Sequence, residues 1–109
     1  MTLEIYPVAL QLVRALAPYL PVLRARSASL GDQIERALIS VPLNLAEGAY
    51  SRGKNRHARY QSAAASAREA LACFETAEAL GWLEPLEPQL VALFQRVIGT
   101  LVRLALPKR

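Results

Sequence analysis

The sequence predicts an all-α protein, an antiparallel up-down bundle of four helices in a single domain spanning residues 1–109. Three observations support this prediction. A chain of 109 residues fits one domain. Apolar residues recur at helical spacing in four blocks, and neither Asn-Gly nor Asp-Gly hairpin signals nor a sustained period-two alternation occurs. Short connections between four helices are typical of an up-down bundle.

The first helix is predicted at about 3–20 and carries apolar residues on two sides. One stripe consists of Leu3, Tyr6, Leu10, Val13, Ala17 and Leu20. The second consists of Ile5, Val8, Leu12, Leu16 and Tyr19. Pro18 and Pro21 are expected to mark the end of this helix, because proline removes a backbone donor and clashes with the preceding turn.

The second helix is predicted at about 29–51, with Ser27 or Ser29 as its N-cap. Its core stripe consists of Leu30, Ile34, Leu38, Val41, Leu45 and Ala49. A second apolar stripe consists of Ile39, Leu43, Ala46 and Tyr50. A monomeric bundle needs one inward stripe per helix, so the extra stripes on the first two helices predict self-association.

Pro42 lies inside this second helix, where it removes the hydrogen bond to the carbonyl of Leu38. The helix must therefore either kink at Pro42 or stop near Ser40 and restart. We expect a kink, since the core stripe keeps its phase from Ile34 to Leu45 and a clean break would shift it.

The third helix is predicted at about 54–80 and the fourth at about 86–106. The third is rich in alanine, which lets neighbouring helices approach closely, and Gly81 sits where a left-handed C-terminal cap is expected. Pro85 and Pro88 suit the first turn of the fourth helix.

Polar residues also follow a helical spacing around the proline. Ser40, Asn44 and Glu47 fall on one face of the second helix, together with Gln33, Arg36 and Ser51. A solvated face explains this pattern. Alternatively, because Asn44 and Glu47 lie just past the proline, they satisfy freed carbonyls or contact a neighbouring helix.

The run from 29 to 60, SLGDQIERALISVPLNLAEGAYSRGKNRHARY, resembles the signature of a bacterial helical-bundle family, the 23S rRNA intervening-sequence proteins. The pattern is carried by Gln33, Ile34, Arg36, Ala37, Ser40, Pro42, Asn44, Ala46, Glu47 and Gly48. That family is similar to the accessory variability determinant of diversity-generating retroelements, which binds nucleic acid and a reverse transcriptase through a basic ring surface. The resemblance implies a four-helix bundle that assembles into a pentameric ring. It implies structural or assembly roles for Ser40, Pro42, Asn44, Glu47 and Gly48.

Charge is unevenly distributed in a chain whose formal net charge is +4. Between Gly48 and Arg68 there are five basic residues and no acid, whereas Glu69 to Gln95 contains five acids and no base. The candidate nucleic-acid-binding residues are Arg52, Lys54, Arg56 and Arg59. A basic patch binds RNA or DNA phosphates, but it also occurs on proteins without such a partner. The alternative is a scaffold ring that contacts only proteins.

Catalysis is not expected. The chain has one histidine, His57, no Cys–His or His–Glu pair at metal-ligating spacing, and no glycine-rich phosphate loop. We therefore predict no catalytic residue, cofactor or metal. A lone cysteine, Cys73, cannot form an internal disulfide and is expected to be a small buried thiol. With Glu4 near the start and no apolar run long enough for a bilayer, a cytoplasmic protein without membrane contact is expected.

Overall fold

The computed structural model describes residues 3–107; the two residues at either end of the predicted 1–109 domain lie outside it. Within this range the chain forms α-helices and no strand, which confirms the all-α prediction. The helices number five in residues 3–107, not four. In chain order they are α1 (Ile5–Leu16), α2 (Tyr19–Arg26), α3 (Ala28–Ala49), α4 (Gly53–Ala79) and α5 (Pro88–Ala105).

The extra helix comes from the segment around Pro18 and Pro21, which was predicted to end a helix. Instead, α1 and α2 meet there at a bend of 52°. Pro18 is the N-cap of α2 and Pro21 lies in its first turn, where backbone N–H groups have no partner within the helix anyway. Proline is therefore tolerated at these positions, and the chain continues as helix to Arg26.

A charged contact and a cap join α2 to α3. Arg24 donates to Glu35 at 2.8 Å and to Asp32 at 3.3 Å. Ser27 is the N-cap of α3, and its hydroxyl accepts a hydrogen bond from the backbone N–H of Leu30 at 3.1 Å. Of the two serines that the sequence offered, the cap is therefore Ser27.

Helix α3 continues through Pro42 from Ala28 to Ala49. The alternative, a break near Ser40 with a restart after it, does not occur. Pro42 is buried, and its ring is part of the packed side of the helix. The kink at Pro42 stays a prediction.

Helices α3 and α4 run antiparallel, as their side-chain contacts show. Ascending α3, Gln33 donates to Glu69 at 3.1 Å, and Ser40 contacts Ser66 at 2.7 Å. Further along α3, Gly48 faces the ring of Tyr60, which lies earlier in α4 than Ser66. Residue numbers rise on one helix and fall on the other, so the pair forms a helical hairpin around the turn at 50–52.

One hydrophobic core is formed by buried side chains from all five helices. Its large members include Leu12 and Leu16 from α1, Leu23 from α2 and Phe94 from α5. On α4 the buried positions are mostly alanine: Ala63, Ala64, Ala67, Ala70 and Ala77. Small side chains let α4 lie close to its neighbours, as the sequence predicted.

The C-terminus of α4 ends at the predicted glycine. Gly81 has φ +76°, a conformation that side chains with a Cβ rarely adopt. The N–H of Trp82 donates to the carbonyl of Ala77 and that of Gly81 to Glu78, both at 2.9 Å. These two bonds are the Schellman pattern, which satisfies carbonyls at the end of a helix.

Among residues 3–107, no single helix is long and apolar enough to cross a bilayer; only the bent pair α1–α2 together meets that length and composition.

Candidate nucleic-acid interface

The predicted basic residues lie at the turn between α3 and α4 and on the first turns of α4. Arg52 is the N-cap of α4, in extended backbone, and Lys54 follows in the first turn. Arg52, Lys54 and Arg59 are exposed. The N-terminal N–H groups of a helix attract anions, and cations beside them increase that attraction. We call Arg52, Lys54, Arg56 and Arg59 the basic cluster.

Arg56 differs from the other three because its guanidinium is already used by the fold. Its Nε donates to the carbonyl of Ser51 at 2.9 Å and to that of Gly48 at 3.3 Å. The Gly48 carbonyl lies in the last turn of α3, and the Ser51 carbonyl lies in the connection to α4. Arg56 therefore ties the end of α3 to the connection that carries Arg52.

His57 lies within the basic cluster along the sequence, where a solvated or phosphate-contacting histidine is expected, and in the structure it is half-buried. Its Nδ1 is buried and has no hydrogen-bond partner among residues 3–107. The imidazole therefore belongs to the packing at the base of the cluster, and the exposed cations are Arg52, Lys54 and Arg59.

The polar face around the proline makes a hydrogen-bonded contact between α3 and α4. Asn44 donates from Nδ2 to the carbonyl of Ser40 at 3.0 Å and to its hydroxyl at 2.8 Å. The hydroxyl of Ser66 also donates to that of Ser40. Asn44 therefore hydrogen-bonds a backbone carbonyl, which is one of the two predicted alternatives. The carbonyl is that of Ser40 and not that of Leu38, which Pro42 leaves without its helical donor. The exposed Glu47 side chain makes no hydrogen bond within the described part of the chain.

Replacing Ser40 with Ala is expected to lower the free energy of unfolding by about 1 kcal/mol, because the half-buried Ser66 hydroxyl loses its acceptor and the Asn44 amide keeps only the backbone carbonyl of residue 40. Urea denaturation measures this change. Ser62→Ala, on the exposed side of α4, is the matched control and is expected to change stability by less than about 0.5 kcal/mol. Equal effects of the two substitutions would show that the Ser40 contact contributes no stability.

Gly48 is the point of closest approach between α3 and α4. A Cβ atom at this position would lie 2.5 Å from the ring of Tyr60, which is buried. The predicted structural role of Gly48 therefore has a steric cause in this structure. This contact was not predicted from the sequence. The sequence signal for it is a glycine inside one helix followed, after a short turn, by an aromatic residue in the next helix.

The second apolar stripe of α3 is largely exposed, as the sequence indicated. Ile39 is 51% exposed, Leu43 60% and Tyr50 80%. Ile39 and Leu43 lie on a nearly flat surface with Arg36 of α3 and Arg59 of α4. In α1, by contrast, one stripe is buried in the core, and most of the other is partly buried against it. The exposed apolar stripe is therefore that of α3, and Val22, Leu80 and Leu106 are large exposed apolar side chains elsewhere among residues 3–107.

Cys73 is buried, which confirms the expectation of an inert thiol. Burial raises the pKa of this thiol, and the nearby negative charge of Glu69 raises it further. The thiol therefore stays protonated at neutral pH. Among residues 3–107, no three His, Cys, Asp or Glu side chains form a group that can hold a metal ion.

No curated protein and no solved structure is significantly similar to this chain. A family model does match it: the model of the 23S rRNA-intervening sequence protein covers residues 1–101 of the 109. This range contains the α3–α4 hairpin with Ser40, Asn44 and Gly48, as well as the whole basic cluster. The chain therefore belongs to the 23S rRNA-intervening sequence protein family.

Proposed function

We propose that this protein is a non-catalytic, homo-oligomeric accessory protein that binds the phosphates of RNA or DNA through the basic cluster. The observation that carries the proposal is the exposure of Arg52, Lys54 and Arg59 together at the N-terminal end of α4. No acidic residue occurs in the sequence between Gly48 and Arg68, and the acid on the surface that includes Arg59 is Glu47. Such a surface attracts polyanions without reading base sequence.

Three exposed cations on one subunit give weak binding, and assembly increases it. In an oligomer each subunit presents the same cluster, so one nucleic acid contacts several clusters at high effective concentration. We propose a closed ring, with five subunits as the number that the resemblance implies. The exposed Ile39, Leu43 and Tyr50 support assembly, since apolar side chains grouped on one helix face are typical of interfaces.

Within each subunit, we propose that α1 and α2 act as one arm, bent by 52°, so that the chain is an up-down bundle of four arms. The antiparallel hairpin of α3 and α4 supports this arrangement. It places the basic cluster at one end of an elongated subunit with principal extents of 44 × 26 × 20 Å. An exposed end stays accessible when the long faces of the subunits pack together.

Replacing Arg52, Lys54 and Arg59 together with Gln is expected to abolish most RNA binding, measured by the fluorescence anisotropy of a labelled hairpin RNA. For the wild type, three phosphate contacts by one cluster predict that affinity falls about 40-fold between about 50 and 200 mM salt, and each further cluster that contacts the same RNA makes the fall steeper. The triple variant is expected to lose most of this salt dependence, because it lacks the side chains whose contact with phosphates releases counterions from the RNA.

The matched control is the triple Gln variant of Arg14, Arg26 and Arg96, three exposed arginines on other helices. It removes the same net charge and is expected to keep binding close to that of the wild type. If both triple variants lose affinity equally, binding depends on total charge and not on the basic cluster.

The second candidate is a protein-interaction scaffold with no nucleic-acid partner. The exposed aliphatic side chains of α3, flanked by Arg36 and Arg59, favour it. The anisotropy experiment separates the candidates, since a scaffold of this kind shows no RNA or DNA binding above background even at about 50 mM salt.

A further inference from the structure

An acidic groove lies between α4 and the start of α5, away from the basic cluster. Its floor is apolar and includes Phe74, Leu83 and Leu86. Its rim carries three carboxylates, those of Glu75, Glu78 and Glu84. The groove has a volume of about 240 Å³, which is enough for one or two aliphatic side chains.

The three rim carboxylates have no cationic partner among residues 3–107. The ion pairs among residues 3–107 are those that Arg24 makes with Asp32 and Glu35. No hydrogen bond between described residues involves the side chain of Glu75, Glu78 or Glu84. The groove therefore has an apolar floor and unpaired carboxylates at its rim. It is complementary to a surface on which aliphatic side chains are flanked by cations.

The outer surface of α3 has this chemistry. The side chains of Ile39 and Leu43 are more than half exposed, and Arg36 and Arg59 lie beside them on the same nearly flat surface. One acid, Glu47, also lies at this surface, so the local balance is two cations to one anion. We call these five residues the α3 ridge.

The ridge and the acidic groove belong to different faces of one subunit. Ile39 and Leu43 point away from the core that Leu38 and Val41 enter, whereas the groove is lined by α4, the 83–86 segment and α5. They therefore cannot meet within one chain. Two copies, however, can bring the ridge of one into the groove of the other.

We infer that the α3 ridge of one copy docks into the acidic groove of a second copy. This inference rests on the self-association part of the proposed function and names the surfaces that make the contact. The contact is heterologous, joining two different faces, so each copy carries one ridge and one groove. Repeated around an axis, such contacts close into a ring where the rotation between neighbours divides a full turn. Arg59 belongs to both the ridge and the basic cluster, so its replacement is expected to affect docking as well as phosphate binding. Arg52 and Lys54 lie outside both docking surfaces and stay accessible to a polyanion.

Charge exchange between the two surfaces tests this contact. One variant reverses the ridge (Arg36→Glu with Arg59→Glu) and the other reverses the rim of the groove (Glu75→Lys with Glu78→Lys). All four positions lie on the surface, so circular dichroism is expected to show an unchanged fold. Light scattering then gives the mass of each variant and of their 1:1 mixture, and Arg14→Glu with Arg26→Glu, at two exposed positions, is the control that matches the ridge variant in charge.

The wild type and the control are expected to have the same mass, a multiple of 12.0 kDa, and each reversed variant to fall to 12.0 kDa. The mixture is expected to form species heavier than 12.0 kDa in which the two variants alternate, because the ridge of each variant is complementary only to the groove of the other. Strict alternation does not close a ring of five, so the expected sign of the contact is a mass above 12.0 kDa and not the wild-type mass. A mixture that stays at 12.0 kDa, or wild-type mass for either variant alone, overturns the contact.

RNA binding separates this inference from the proposed function. The groove variant keeps the complete basic cluster, so as a monomer it still binds RNA, only more weakly. If the wild type itself weighs 12.0 kDa, the contact and the oligomer are both overturned, while phosphate binding by the cluster is judged by the anisotropy experiment alone.

Discussion

Replacing Phe74 with Ala is expected to lower the free energy of unfolding by about 3–5 kcal/mol. Phe74 is only 2% exposed and lies where three helices meet. Its ring packs edge-on against Tyr19 of α2 at 5.7 Å between centroids and against Phe94 of α5 at 6.1 Å. Removing it opens a cavity that surrounding helices fill only in part, and it also removes both aromatic contacts.

Guanidinium denaturation of Phe74→Ala and of a matched control measures this effect. The control is Leu80→Ala, which truncates a large side chain that is 55% exposed just after the same helix. We expect the control to change stability by less than about 0.5 kcal/mol. If Phe74→Ala costs no more than the control, α2, α4 and α5 do not share one core at this position.

Replacing Gly48 with Ala is expected to destabilise the protein by about 1–3 kcal/mol, although alanine is the better helix former by about 1 kcal/mol. The added Cβ would lie 2.5 Å from the ring of Tyr60, a side chain that is 3% exposed and has no free space to move into. The α3–α4 hairpin must therefore separate or the ring must leave its rotamer.

Gly99→Ala on α5 is the matched control, because its nearest contact would be Arg103 Nη1 at an ordinary 3.5 Å. We expect Gly99→Ala to raise the melting temperature and Gly48→Ala to lower it. A double-mutant cycle with Tyr60→Leu identifies the cause: without the ring, the Gly48→Ala substitution is expected to be neutral or stabilising. Destabilisation that is unchanged in the Tyr60→Leu background would contradict the steric explanation.

Most of the fold could be predicted from the sequence because local signals and core pattern agree. The apolar spacing indicated where α3, α4 and α5 lie, and Gly81 indicated where α4 ends. The pattern failed at Pro18 and Pro21, because proline ends one helix and begins another with equal ease. The segment after Pro18 is helical because it packs against α3, where Arg24 pairs with Asp32 and Glu35. This packing could not be read from the spacing of apolar residues.

The candidate site was predictable only in part. Clustering along the chain was sufficient to place Arg52, Lys54 and Arg59 on one exposed end. The capping role of Arg56 and the burial of His57 could not be predicted, because both depend on how the turn at 50–52 folds back over α3. The bond between Ser40 and Ser66 joins residues 26 apart, so the spacing on α3 indicated a polar face without its partner.

The measurement that most directly tests the central claim is light scattering on the wild-type protein, alone and with a hairpin RNA, at about 50 and 200 mM salt. An oligomer that binds phosphates through the basic cluster should have a mass that is a multiple of 12.0 kDa at both salts. That mass should rise with RNA at the lower salt and return to its original value at the higher. A particle of 12.0 kDa, or an oligomer whose mass does not change with RNA at either salt, would contradict the account.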